Sequence, residues 1–82
     1  MKPFSRQELQ SLFDGKKKVA EQLRIQRKKL GLTQQELSEF SGVAVNTIVS
    51  VERGQGNPSL SVLLKLADTL GMEWGLRPKS IF

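Results

Sequence analysis

Apolar side chains recur at three- and four-residue intervals over most of the chain, which is the spacing of amphipathic α-helices. The pattern predicts four helices, covering residues 16–30, two short segments between 33 and 54, and residues 60–71. After residue 71 the period changes, because Met72, Trp74 and Leu76 alternate with polar or small residues. This alternation favours a β-strand, and a short helix from Glu73 to Leu76 is the alternative.

The two short helices have start and stop signals of their own. Thr33 and Glu36 have the spacing of a capping box, in which each side chain accepts a hydrogen bond from the backbone N–H of the other residue. Gly42 separates the first short helix from the second, and Gly54 ends the second. Two short helices joined through a glycine form a helix-turn-helix.

The longer helices are expected to supply the core. The predicted core positions are Val19, Leu23 and Leu30 in the first helix and Leu60, Leu63, Leu64, Ala67 and Leu70 in the last. Arg27 falls on the same apolar face as Leu23. Because a buried unpaired charge is expensive, Arg27 needs an acidic partner.

Residues 1–15 are predicted to form an arm or a short helix. Leu9, Leu12 and Phe13 would share one face of that helix, and Gly15 is predicted to break it. The predicted organisation is therefore an arm over 1–15, a helix-turn-helix domain over 16–71, and a dimerisation strand with a tail over 72–82.

The segment from Leu23 to Gly71, 49 of the 82 residues, resembles the lambda-repressor-like (Xre-type) helix-turn-helix DNA-binding proteins. The matching residues are Gly31-Leu32-Thr33-Gln34, Glu36-Leu37, Gly42-Val43, Ile48, Glu52-Arg53-Gly54, Pro58 and Leu63 through Ala67. The resemblance implies an all-α fold of four to five helices. It also implies a salt bridge between Arg27 and Glu52.

By this resemblance the second short helix enters the major groove of DNA, with its outward residues at the base edges. These candidate base contacts are Ala44, Val45, Asn46, Thr47 and Ser50. Asn46 is suited to a bidentate contact with adenine, whereas Ile48 and Val51 are expected to point into the core.

Contacts with the DNA backbone are expected on either side of that helix. Thr33 and Gln34 are candidates because they stand at a helix N-terminus, where free N–H groups favour a phosphate. The resemblance adds the loop after the second short helix, with Arg53, Gln55, Asn57 and Ser59, and Lys28 completes the set. Lys28 and the Lys16–Lys18 run are further candidates whose distance from the duplex the sequence does not fix, and only Lys28 is included in the set. With about four charged contacts per dimer, affinity is expected to fall with salt at a log–log slope near −4.

Composition agrees with a polyanionic partner. The net charge is +5, and seven of the 13 cations lie between Lys16 and Lys29, opposed there by Glu21 alone. Nucleic acid is the first partner this cluster favours, an anionic membrane surface the second, and a solvated helix face the alternative. The chain has no cysteine or histidine, so we expect no metal site, cofactor, catalytic residue or enzymatic activity. Lacking a membrane-spanning apolar run or signal-peptide core, it is expected to be cytoplasmic and nucleoid-associated.

A single strand in a helical protein requires a partner, and its copy in a second subunit is the simplest one. We therefore expect a homodimer with Met72, Trp74 and Leu76 at the subunit interface. This dimer is expected to bind an inverted-repeat operator. The C-terminal alternation resembles that of the HipB-type antitoxins, which implies autorepression of an operon and binding of a HipA-like kinase toxin. The alternatives are a stand-alone phage-type or chromosomal repressor, and a protein-interaction module that no longer binds DNA.

Overall fold

The computed structural model describes residues 5–78, except for the side chains of residues 8–13. Its four helices are α1 (Arg6–Lys29), α2 (Gln34–Ser41), α3 (Val45–Glu52) and α4 (Leu60–Thr69). Within residues 5–78 there is no β-strand, and the predicted all-α helix-turn-helix architecture is confirmed. None of the described helices is long and apolar enough to cross a membrane.

The first helix is longer than predicted, because α1 continues without interruption through Gly15. The predicted break at Gly15 is therefore wrong. A glycine in a helix interior costs only about 1 kcal/mol relative to alanine, and the lysines that follow are good helix formers. The predicted packing of Leu9, Leu12 and Phe13 lies outside the described side chains.

The core is built from all four helices and the helix-turn-helix loop. Its buried residues are Leu23, Leu37, Val43, Ile48, Val51, Leu66, Ala67 and Leu70. Three predicted core residues are instead exposed, with Leu30 at 50%, Leu60 at 59% and Leu64 at 43%. Leu66, which the predicted stripe omits, is 1% exposed, because α4 packs against α2 through a face that includes Leu66 and leaves Leu60 and Leu64 outside.

The helix-turn-helix is held by local hydrogen bonds at both ends of α2. The Thr33 hydroxyl accepts from the Glu36 N–H at 3.0 Å, and the Thr33 N–H donates to Glu36 Oε1 at 3.0 Å, as the capping-box spacing predicts. At the other end Gly42 takes φ 75°, and its N–H donates to the Ser38 carbonyl at 2.9 Å. Residues with a Cβ rarely adopt this conformation, so the glycine sets the angle between α2 and α3.

Two contacts of α4 fix where the chain goes after its last helix. Gln26 on α1 is half-buried, and its Nε2 donates to the Leu70 carbonyl at 3.1 Å. The Met72 N–H donates to the Ala67 carbonyl at 2.8 Å, and the Met72 side chain packs against the core. Residues 72–78 form neither the strand nor the alternative short helix in the single chain. Strand pairing with a second copy stays a prediction.

Candidate nucleic-acid interface

Helix α3 divides its residues between an inward and an outward face. Ile48, Val51 and Glu52 are buried, with 0%, 4% and 5% of their surface exposed. The five predicted base-contact residues all remain accessible: Ala44 and Asn46 are exposed, and Val45, Thr47 and Ser50 are half-buried. The outward face is therefore polar at Asn46 and Ser50 and apolar at the start of the helix.

The start of α3 lacks a side-chain cap. Ala44 occupies the N-cap position with φ −58° and ψ 140°, and no side-chain hydrogen bond is made there. By contrast, the Ser59 hydroxyl caps α4 by accepting from the Val62 N–H at 3.2 Å. The first N–H groups of α3 are thus left for water or for a ligand.

Replacing Ala44 by Ser is expected to stabilise the fold by about 0.5–1 kcal/mol, because the new hydroxyl would accept from an uncapped N–H of α3. Thermal unfolding followed by circular dichroism measures this change. Ser59→Ala is the reciprocal variant and is expected to lose about 1 kcal/mol. A lower melting temperature for Ala44→Ser would contradict the assignment of Ala44 as an empty cap.

A buried ion pair ties α3 to α1. Arg27 Nε lies 2.7 Å from Glu52 Oε2, and Arg27 Nη2 lies 2.9 Å from Glu52 Oε1. A third nitrogen of the guanidinium also donates, since Arg27 Nη1 lies 2.8 Å from the Leu32 carbonyl. Gln34 Nε2 adds a further bond to Glu52 Oε1 at 3.2 Å. This network joins the end of α1, the start of α2 and the end of α3 at one point.

The start of α2 forms one flank of the outward surface. Thr33 is exposed but its hydroxyl is committed to the capping box, while Gln34 is half-buried with its amide turned to Glu52. Gln34 keeps a second amide proton, and the early N–H groups of α2 have no partners within the helix. This helix end is therefore suited to an anion such as a phosphate.

The loop after α3 forms the opposite flank. Gly54 at φ 70° turns the chain, the Gln55 N–H donates to the Ser50 carbonyl at 3.0 Å, and the Ser50 hydroxyl donates to the Gln55 carbonyl at 3.3 Å. The loop backbone packs closely against α3, because a Cβ on Gly56 would lie only 3.0 Å from Ser50 Oγ. Gln55, Asn57 and Ser59 are exposed on this loop.

A groove of about 290 Å³ separates α3 from this loop. Asn46, Thr47 and Ser50 line its helix side, and Gln55, Asn57 and Pro58 line its loop side. The structure thus brings three predicted base-contact residues together with two predicted phosphate-contact residues along one groove.

The cations of the site are dispersed. Arg53 is exposed at the end of α3, and Lys28 is exposed in the last turn of α1. Arg24, four residues before Lys28, extends Nη1 to the Glu52 carbonyl at 3.5 Å. Lys16 was considered in the sequence but left out of the contact set, and its Nζ donates to the Gly56 carbonyl in the loop after α3. The contact spans 40 residues of sequence, so no local signal could have revealed it.

The three predicted dimer-interface residues have different surroundings. Met72 is half-buried against the core, Trp74 is 36% exposed and Leu76 is 96% exposed. Trp74 also lines a cavity of about 240 Å³ between α1, the loop after α3 and Leu63 of α4. In the single chain, therefore, Met72 and Trp74 contact their own domain, whereas the Leu76 side chain is almost wholly exposed to solvent.

The geometry described above defines a helix-turn-helix DNA-binding protein. It consists of a capped helix, a glycine turn and a second helix with an outward polar face, flanked by a helix N-terminus and an amide-rich loop. The chain belongs to the helix-turn-helix family HTH_3, whose family model matches residues 23–75. This match confirms the family resemblance seen in the sequence.

Several uncharacterized HTH-type transcriptional regulators are similar in sequence. One from Methanothermobacter thermautotrophicus is 47% identical over 51 residues, covering 62% of this chain and 74% of the relative. The regulator y4dJ from Sinorhizobium fredii is 37% identical over 60 residues, covering 73% of this chain and 78% of the relative. One from Haemophilus influenzae is 42% identical over 52 residues, and here the match covers 63% of this chain and 53% of the relative.

The fold is also found in a crystal structure of the restriction-modification controller protein C.AhdI from Aeromonas hydrophila. That chain aligns with a TM-score of 0.68 and 40% sequence identity, over 73% of this chain and 91% of its own length. The chain is thus a DNA-binding transcriptional regulator of a non-enzymatic family, with DNA as a partner.

Proposed function

We propose that this chain is a stand-alone transcriptional repressor that binds an inverted-repeat operator as a homodimer. The observation that carries the proposal is the outward face of α3, where Asn46 and Ser50 are accessible beside the groove that α3 forms with the following loop. Similarity to HTH-type regulators and to a restriction-modification controller favours this alternative over the antitoxin hypothesis. The comparisons give no support for a HipA-like kinase partner, and we do not retain it.

Base reading is assigned chiefly to Asn46. Its amide is exposed in the first turn of α3, where a recognition helix meets the base edges, and an amide matches the N6 and N7 groups of adenine. Ala44 and Val45 beside it offer methyl groups to thymine methyls. Because α3 presents no cation before Arg53, an operator rich in A·T pairs at this position is expected.

Backbone contacts are assigned to the two flanks. The start of α2, with Thr33 and Gln34, holds one phosphate, and the loop carrying Gln55, Asn57 and Ser59 holds another across the groove. Contacts on both sides of α3 would fix its register without reading sequence.

The dimer interface is assigned to the surface formed by α4 and the tail, residues 72–78. Two shallow grooves meet there, because both include Leu64 and Asp68; one extends to Leu60 and the other to Met72 and Trp74. Exposed leucines on α4 are therefore continuous with the tail that contains Leu76. A second copy, related by a two-fold axis, would cover this surface and place two α3 helices about 34 Å apart.

The proposed function is tested by selecting binding sites from a pool of random duplexes. An enriched inverted repeat, with half-site centres about one helical turn apart, is the expected result. A promoter containing that repeat should then lose transcription in vitro when the protein is added. Failure to enrich any sequence, with a flat response to salt, would support the protein-interaction module instead.

Asn46→Ala is expected to weaken binding to the selected operator by about 1–3 kcal/mol and to leave binding to random DNA nearly unchanged. The reason is that Asn46 is assigned a base edge and no phosphate. Asn57→Ala is the matched control, because the same side chain in the loop is assigned to the backbone and should weaken both complexes alike. Equal losses on both DNAs for Asn46→Ala would remove its base-reading role.

A further inference from the structure

Lys16 lies against the loop that follows the recognition helix, although it is far from that loop in sequence. Its ammonium group donates to the Gly56 carbonyl, between the exposed Gln55 and Asn57. An ammonium has three protons, so this bond leaves two for another acceptor. The family match begins at residue 23, which means that Lys16 is outside the segment shared with the family.

One side of Lys16 faces a cavity between α1 and the loop after α3. The cavity beside it is lined by Val19, Ala20 and Val51 among the apolar residues and by Gln55 and Asn57 among the polar ones. None of the described residues that line this cavity is acidic. The next lysine differs in this respect, since Lys17 shares its groove with Glu21.

We infer that Lys16 is a DNA phosphate-binding residue, which extends the backbone contacts of the loop onto the N-terminal half of α1. The inference rests on the proposed function, because it requires that Gln55 and Asn57 face the DNA backbone. The Gly56 carbonyl holds the ammonium at the loop, and the free protons and charge bind a phosphate next to the one held by the loop amides.

The salt dependence of operator binding tests this assignment. Four charged contacts alone predict a log–log slope of about −3.6 for the dimer. If Lys16 of both protomers also binds a phosphate, the wild-type slope should be about −5.4. Lys16→Gln should return it to about −3.6. Fluorescence anisotropy of a labelled operator duplex, titrated between about 50 and 200 mM salt, gives the slope.

Lys18→Gln is the matched control, because Lys18 is an exposed lysine on the same helix that lines neither the Lys16 cavity nor the Lys17 groove. A shallower slope for Lys16→Gln, with no change for Lys18→Gln, supports the inference. If Lys16 only braces the loop, Lys16→Gln will bind more weakly at every salt concentration with an unchanged slope, which overturns it. Lys16→Arg should recover the slope. A wild type that shows no salt-dependent DNA binding overturns the proposed function and this inference together.

Discussion

Replacing Glu52 by Ala is expected to lower the free energy of unfolding by about 3–5 kcal/mol, because it leaves a buried guanidinium without its counter-ion. Arg27 is 8% exposed, and the Leu32 carbonyl would be its remaining partner of those described above. Gln34 would lose its acceptor as well. For a domain of this size the melting temperature should fall by at least about 12 °C, measured by calorimetry or circular dichroism.

Two further variants distinguish the loss of stability caused by breaking the ion pair from any loss caused simply by removing a glutamate. Glu39→Ala removes an exposed glutamate from α2 and should leave the melting temperature nearly unchanged. The double variant Arg27→Met/Glu52→Leu should recover most of the loss, because apolar side chains of similar volume replace a buried pair at little cost. An unchanged melting temperature for Glu52→Ala would show that the pair contributes nothing to stability.

Leu76→Glu is expected to produce folded monomers and to reduce operator affinity by about 10²- to 10⁴-fold, because a single domain cannot bind two half-sites at once. Leu76 is 96% exposed, so the substitution removes almost no contact within the chain. Trp74 is a poorer target, since it lines a cavity together with the loop after α3. Sedimentation velocity and operator titration measure the two effects.

Ile25→Glu provides the control for Leu76→Glu. Ile25 is 46% exposed on α1 and lines neither groove of the α4 and tail surface, and its replacement introduces the same charge. This variant should remain a dimer with wild-type affinity. A dimer that persists in Leu76→Glu would overturn the tail as an interface, and Leu60→Glu or Leu64→Glu would then test the α4 part of the surface separately.

Local chemistry in the sequence was sufficient to predict the parts of the site that depend on near neighbours. Thr33 and Glu36 are three residues apart, so their capping box follows from spacing. The Arg27–Glu52 contact came from the family resemblance together with the presence of a charge on an apolar face. Both features are present in the structure.

The errors arise where tertiary packing decides the outcome. A glycine penalty of about 1 kcal/mol is too small to end α1 at Gly15. Leu60 and Leu64 fit a helical stripe, but the direction in which α4 meets α2 determines that Leu66 is buried in their place. Lys16 was left out of the predicted contacts because the sequence does not fix its distance from the duplex. That distance depends on how α1 crosses α3, and hydrophobic periodicity gives no information about this crossing.

The division of α3 into two faces has a consequence for evolution and for engineering. Substitutions at Ala44 or Asn46 change the surface offered to DNA without disturbing the core, because both side chains are exposed. Glu52 is constrained in the opposite way, since it can be replaced safely only together with Arg27. On the proposed function, single substitutions can therefore change the operator preference while the packing of α3 against the core stays the same. Libraries randomised at the outward positions should yield retargeted repressors that still fold.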